Sequence, residues 1–278
     1  MPWTTFDDVI KADRKRGVTL PLHGNTTGTL TAAGVNSGGL SIIPLFGAAG
    51  TTLWSTFKGF PLPPGIDATT DWRAPWAKNG STRIGGYWVA LFYKIGTVDL
   101  TSTGQKLTHH SAGFPITRDL AYGTQAVRGF PLIITTAATS TTAPIIGNIK
   151  YVNSDGNVVT GTQSFTYPAT NTILGSSYLP SLEAEDESIQ AITEVNVTTA
   201  SASGNASVWL AEPVLPTSVM VAGTISQSDA LRGSRFGLPR INPAAPASGS
   251  LDWVCGLLST GSAATASGDA LLRVVPQT

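Results

Sequence analysis

Ala143-Pro144-Ile145-Ile146-Gly147-Asn148-Ile149-Lys150-Tyr151-Val152-Asn153-Ser154-Asp155-Gly156-Asn157-Val158-Val159-Thr160 is the stretch that decides the fold class. Two β-branched runs flank a tight-turn sequence in which Asp-Gly supplies the positive φ angles that hairpins need, so the stretch reads as two antiparallel strands. Upstream, Val127 to Thr136 is a further strand candidate. Downstream, Ser188 to Thr199 places apolar residues at 189, 192, 195 and 197, and its end alternates as a half-buried strand does. Ser201 to Ala206 reads as a turn, after which Ser207 to Pro213 returns antiparallel and ends at the proline. Residues 126 to 213 are thus expected to form half of a β-sandwich.

The same grammar extends outward. Tyr87-Trp88-Val89-Ala90-Leu91-Phe92-Tyr93-Lys94-Ile95 is apolar on both faces, as a strand buried between two layers would be. Leu40 to Phe46 and Thr51 to Phe57 are strand candidates, with Pro44 arguing against a central position for the first. Phe60-Pro61-Leu62-Pro63-Pro64-Gly65 reads as an extended connector. Ser218 to Ile225, the run around Trp253, and Ala270 to Val275 add strands toward the C-terminus. Cys255 in the Trp253 run reads as a buried structural thiol. Arg232 to Ile241 is a basic loop, followed by a Pro/Ala/Ser linker.

One segment is helical. Thr4 or Thr5 can cap it, Asp7 and Asp8 suit its first turn, and Gly17 follows the cationic last turn Arg14-Lys15-Arg16. Phe6, Val9 and Ile10 form an apolar stripe on a helix too short to persist alone, so the stripe must dock on its own body or on a neighbouring subunit.

Composition bounds the function. The 278 residues suffice for a substantial core, and the 41% hydrophobic content, seven Trp included, excludes disorder. Ser and Thr make up about a fifth of the chain and, with 30 Gly and 18 Pro, disfavour helices. Seventeen basic residues balance seventeen acidic ones, and only 12% of residues are charged, so no bulk attraction to nucleic acid or anionic membrane is implied. A single cysteine excludes an intrachain disulfide framework. No basic-then-apolar leader and no apolar run near ~18 residues is present, so the product is expected to stay in the cytoplasm where it is made.

No nucleophile elbow, phosphate loop, dinucleotide fingerprint, zinc pattern or paired-carboxylate site is present in the sequence. His109 and His110 are adjacent, and on a strand they would point to opposite faces. Asn153 to Asn157 has the look of a calcium loop's start, but its glycine comes too early and Ser164 stands where a bidentate acid is required. Glu183-Ala184-Glu185-Asp186-Glu187 is the dense acidic run. It reads either as a solvated loop or as the counterpart, across a subunit boundary, of the basic patch Arg232, Arg235 and Arg240.

From Ala143 to Val214 the chain runs Ile-x-x-Ile-x-Tyr-x-Asn-x-Asp-Gly, a polar run, an acidic segment, Ile-x-x-Ile-x-x-Val, then Ser-Gly and Val-Trp-Leu-Ala-Glu-Pro. In this cadence it resembles the β-rich virion structural proteins of tailed bacteriophages: the auxiliary capsid proteins, of the cement or decoration kind, and related minor head components. The resemblance covers about a quarter of the chain. It implies a homo-oligomer, a trimer first among the possible states, that binds the major capsid protein on the virion surface without catalysis or cofactor. Low surface charge suits a protein surrounded by protein.

The expectation is therefore an all-β chain: one or two antiparallel β-sandwich, jelly-roll-like units with a short N-terminal helix. Its expected divisions are a helical arm over residues 1–20, a first β unit over 21–120 and a second over 121–278. Trp3, Phe6, Val9 and Ile10 would anchor the arm on another chain; Glu183, Glu185, Asp186, Glu187, Arg232, Arg235 and Arg240 would meet between copies; no metal, nucleic acid or membrane is involved. The alternative is a tail, collar or fibre component that binds a host receptor or glycan, with Trp72, Trp76, Asp67 and Asp71 as the first shelf candidates.

Overall fold

The structure, a computed structural model, describes residues 6–25, 40–47, 52–54, 57–58, 71–81, 85–105, 107–109, 117–120, 123–126, 128–137, 139–140, 145–161, 165–166, 177–178, 180, 182–219, 225–229, 253–260 and 267–277. They form antiparallel strands and one helix, Phe6–Arg16. The all-β class with a short N-terminal helix is what the sequence predicted.

A seven-stranded sheet is the frame. Its two longest strands, Gly85–Asp99 and Asn205–Val219, are 15 residues each and pair along their whole length. Phe130–Ala137 joins one side of the pair and Trp253–Thr260 the other. Leu40–Gly47 then pairs with Trp253–Thr260 at the edge, the place Pro44 allows. Phe92, Leu132, Ile134 and Trp209 pack on one face of this frame, while Leu91, Tyr93, Ile133 and Leu210 alternate to the other, and all of them are fully buried. Trp209, the largest, has its indole N–H satisfied by Ser207 Oγ at 2.7 Å.

A five-stranded sheet built on Ile145–Asn153, Val158–Gly161 and Ile189–Thr199 packs against the frame. Gly129 and Ile189 tie the two together, each N–H donating to the other's carbonyl at 2.9 and 2.7 Å. A side chain on Gly129 would run into the Ala211 carbonyl, so the close crossing requires glycine there. A four-stranded sheet, ordered Val18–Asn25, Ser267–Gln277, Asp71–Ser81 and Ile225–Asp229, contacts the frame through Ile225–Asp229 and Asp71–Ser81 against Asn205–Val219 and through Val18–Asn25 against Leu40–Gly47. Trp72, Ala74, Val274 and Val275 are buried apolar residues of this sheet, and Arg73 between the first two is buried with them.

Three expectations are corrected. Residues 126 to 213 are not half of a sandwich: Phe130–Ala137 and Asn205–Val219 lie in the frame, and Ile145–Asn153 and Ile189–Thr199 in the sheet against it. Ile189–Thr199 and Asn205–Val219, consecutive in sequence, therefore change sheets instead of pairing, and the turn between them carries Gly204 at φ 130°. The second strand also does not end at Pro213. It continues through Pro216 because the ladder is irregular between Pro213 and Leu215, which accommodates a residue with no N–H to donate. Finally, no boundary lies at 120/121: the frame combines Gly85–Asp99 with Asn205–Val219, and the four-stranded sheet combines Val18–Asn25 with Ser267–Gln277, so both proposed units share both sheets. Short strands legible one at a time do not reveal which distant strand completes their ladder.

Candidate functional site

The acidic run is a built turn docked on the Asn153–Asn157 hairpin. Val152 and Val158 pair at the base of that hairpin. Asn153 Oδ1 accepts the backbone N–H of Asp155 at 3.1 Å and of Asn157 at 2.9 Å, and Gly156 takes φ 86°, the conformation expected from Asp-Gly. The hairpin's other groups hold the acids. Tyr151 Oη donates to Asp186 Oδ2 at 2.6 Å, and Asn153 Nδ2 donates to Asp186 Oδ1 at 3.0 Å. The Glu183 backbone N–H donates back to Tyr151 Oη at 3.0 Å, and Gln190 Nε2 closes the far side on the Ser154 carbonyl at 3.0 Å.

Both oxygens of Asp186 are thus engaged, and Asp186 acts as the pin of the turn. Tyr151 is pushed up to about 12, first by burial and then by its hydrogen bond to Asp186. Within the turn the Asp186 N–H donates to the Glu183 carbonyl at 3.1 Å. Glu185 takes φ 81°, a left-handed conformation that costs a non-glycine residue about 1 kcal/mol. Glu185 and Glu187 are left exposed, as is Asp155 on the adjoining hairpin tip. Val158, 62% exposed, is the one exposed large apolar residue among those described. The corner therefore offers fixed negative charge with an apolar neighbour, an arrangement suited to recognition.

The N-terminal helix is held on its own chain. Arg273 on the last strand contacts Asp13 Oδ1 through Nε at 2.7 Å, the Asp13 carbonyl through Nη2 at 3.2 Å and Thr19 Oγ1 through Nη1 at 2.9 Å. Val9 and Ile10 are half-buried. The helix contacts Ser267–Gln277 of its own chain.

Trp3, Arg232, Arg235 and Arg240 lie outside the described residues, as does the side chain of Phe6. Among the glycan-shelf candidates, Trp72 is 4% exposed and belongs to the core, which removes it from any open shelf. Asp67 and the side chains of Trp76 and Asp71 lie outside the described residues. Sequence reading missed the buried pair Tyr93 and Glu212: Tyr93 Oη donates to Glu212 Oε2 at 3.0 Å. The signal was available, since Glu212 alternates with Leu210 and Val208 on a strand whose neighbours are apolar. Among the described residues no group of His, Cys, Asp and Glu is placed to hold a metal ion, and no helix is long and apolar enough to cross a membrane.

No family model matches this chain, nor does any curated protein. Among solved structures, one of infectious bursal disease virus Gx strain aligns over 94% of this chain and 81% of its own at 9% sequence identity, with a TM-score of 0.18. That score is too low for the likeness to carry fold or function.

Proposed function

We propose that this chain is a non-enzymatic structural protein of a tailed-bacteriophage virion, an auxiliary capsid protein that binds the major capsid protein from outside and stabilises the shell as a homo-oligomer. The observation that carries the reading is the docked acidic turn. It lies within the 143–214 stretch that resembles such proteins, and its hydrogen bonds to the five-stranded sheet present Glu185 and Glu187 to the exterior. A preorganised, exposed relief loses little conformational entropy on binding, which suits attachment to a repeating lattice. The sparse charge elsewhere agrees with a protein surrounded by protein in its working state.

The test is add-back. Purified chain mixed with shells that lack it should cosediment to a fixed stoichiometry and raise the temperature at which the shells come apart. Absence of cosedimentation at concentrations well above those in an infected cell would refute the reading.

A further inference from the structure

On this sparsely charged molecule two short segments hold much of the charge. Lys11, Arg14, Lys15 and Arg16 are four of the 17 basic residues; Glu183, Glu185, Asp186 and Glu187 are four of the 17 acidic ones. The four cations are exposed. Lys11, Arg14 and Lys15 stand at i, i+3 and i+4 and so share one face of the helix. Asp13, the acid within this run, is matched by Arg273 at 2.7 Å, which leaves the neighbouring cations uncompensated by it. The helix dipole accounts for cations in the last turn, but Lys11 precedes that turn.

The acidic segment is mounted differently. Asp186 is tied to the Tyr151–Asn153 hairpin, while Glu185, Glu187 and Asp155 face outward with exposed Val158 nearby on the same hairpin. The helix rides on the four-stranded sheet and the acidic turn on the five-stranded one, and both stay exposed, so neither covers the other within one chain. Each is a fixed surface whose charge matches the other.

We infer that copies of this chain associate head to tail, the Lys11, Arg14 and Lys15 face of one helix resting on Glu185, Glu187 and Asp155 of the next copy. Two different surfaces meet, so the contact is heterologous and closes into a ring or runs on as a chain. It rests on the multi-copy part of the reading above and names how the copies meet. Exposed ion pairs are individually weak and salt-screened, so the contact sets orientation and is sensitive to ionic strength.

The test uses sedimentation velocity of the full chain. Association should weaken at least about tenfold between roughly 20 mM and 500 mM salt. A Lys11→Glu/Arg14→Glu/Lys15→Glu variant and a Glu185→Lys/Glu187→Lys variant, each with an unchanged circular dichroism spectrum, should be monomeric alone. Mixed together they should associate, because each retains the surface the other needs. The inference is overturned if the wild-type chain and both variants oligomerise equally at every salt concentration, which leaves the multi-copy reading standing. A chain that is monomeric throughout overturns both. Loss of association in an Arg235→Glu/Arg240→Glu variant with none in the helix variant overturns the inference in favour of the basic loop. A monomer whose helix cations instead retain short duplex DNA overturns it in favour of a polyanion.

Discussion

Asp13 and Arg273 stand 260 residues apart in sequence and 2.7 Å apart in space, so the first helix and the last strand form a single clasp. The guanidinium also bonds Thr19 Oγ1 and the Asp13 carbonyl, making one side chain the organiser of helix, following strand and C-terminal strand.

Arg273→Ala should loosen this clasp without melting the body. The pair is partly exposed, so its direct worth is about 1 kcal/mol or less. Hydrogen exchange is the measurement: amides of residues 6–16 should lose protection while those of Gly85–Asp99 keep theirs. Equal loss in both would show that the clasp supports the whole fold.

Tyr151→Phe should detach the acidic turn. It removes the donor to Asp186 Oδ2 and the acceptor of the Glu183 N–H, a cost of about 1–3 kcal/mol by urea unfolding. The wild-type chain has a matching pH dependence. Because folding raises the Tyr151 phenol from 10.0 to about 12, its contribution to stability is complete below pH 10 and is lost as pH rises through about 12. Ultraviolet titration of tyrosinate should show one late-titrating phenol fewer in the variant than in the wild-type chain; identical late phases would contradict this.

Gly129→Ala should be severe, on the order of 2 kcal/mol or more, since the added methyl meets the Ala211 carbonyl and forces apart the Gly129–Ile189 bridge that joins two sheets. A thermal midpoint within a degree or two of wild type would rule out so close a crossing.

Tyr93→Phe should remove the phenol's hydrogen bond to the 4%-exposed Glu212 side chain in the core and cost about 1–3 kcal/mol. Phe is nearly isosteric, so packing loss does not account for such an effect. A neutral substitution would mean that the phenol contributes nothing net.

Glu185→Gly separates backbone from charge in the acidic turn. Glycine adopts φ 81° freely, so folding stability should rise or stay level even though a charge is lost. A clear loss of stability would show that the carboxylate has a structural partner.

What was legible in the sequence was local. Asp155-Gly156 between β-branched runs specified the hairpin, the Tyr87 to Ile95 run announced a strand, buried on both faces over Ala90 to Tyr93, and Pro44 foretold an edge, because each depends on φ/ψ preference or periodicity within a few residues. Strand partnership was not legible. Nothing near Trp209 says that its strand pairs with Phe130–Ala137 and Gly85–Asp99 and not with Ile189–Thr199; that choice is settled by long-range packing. The acidic run was found by charge density alone. Its docking on Tyr151 and Asn153, about 33 residues away, could only be seen in the fold, as could the tie between Asp13 and Arg273.

The central claim, a shell-binding structural protein, is tested most directly by imaging intact phage particles at residue-level resolution. The account predicts density for this chain in repeated copies on the outside of the shell, in contact with the major capsid protein and with the acidic turn at a protein boundary. Particles whose shells carry no such density, or that hold the chain only in the tail, would contradict it.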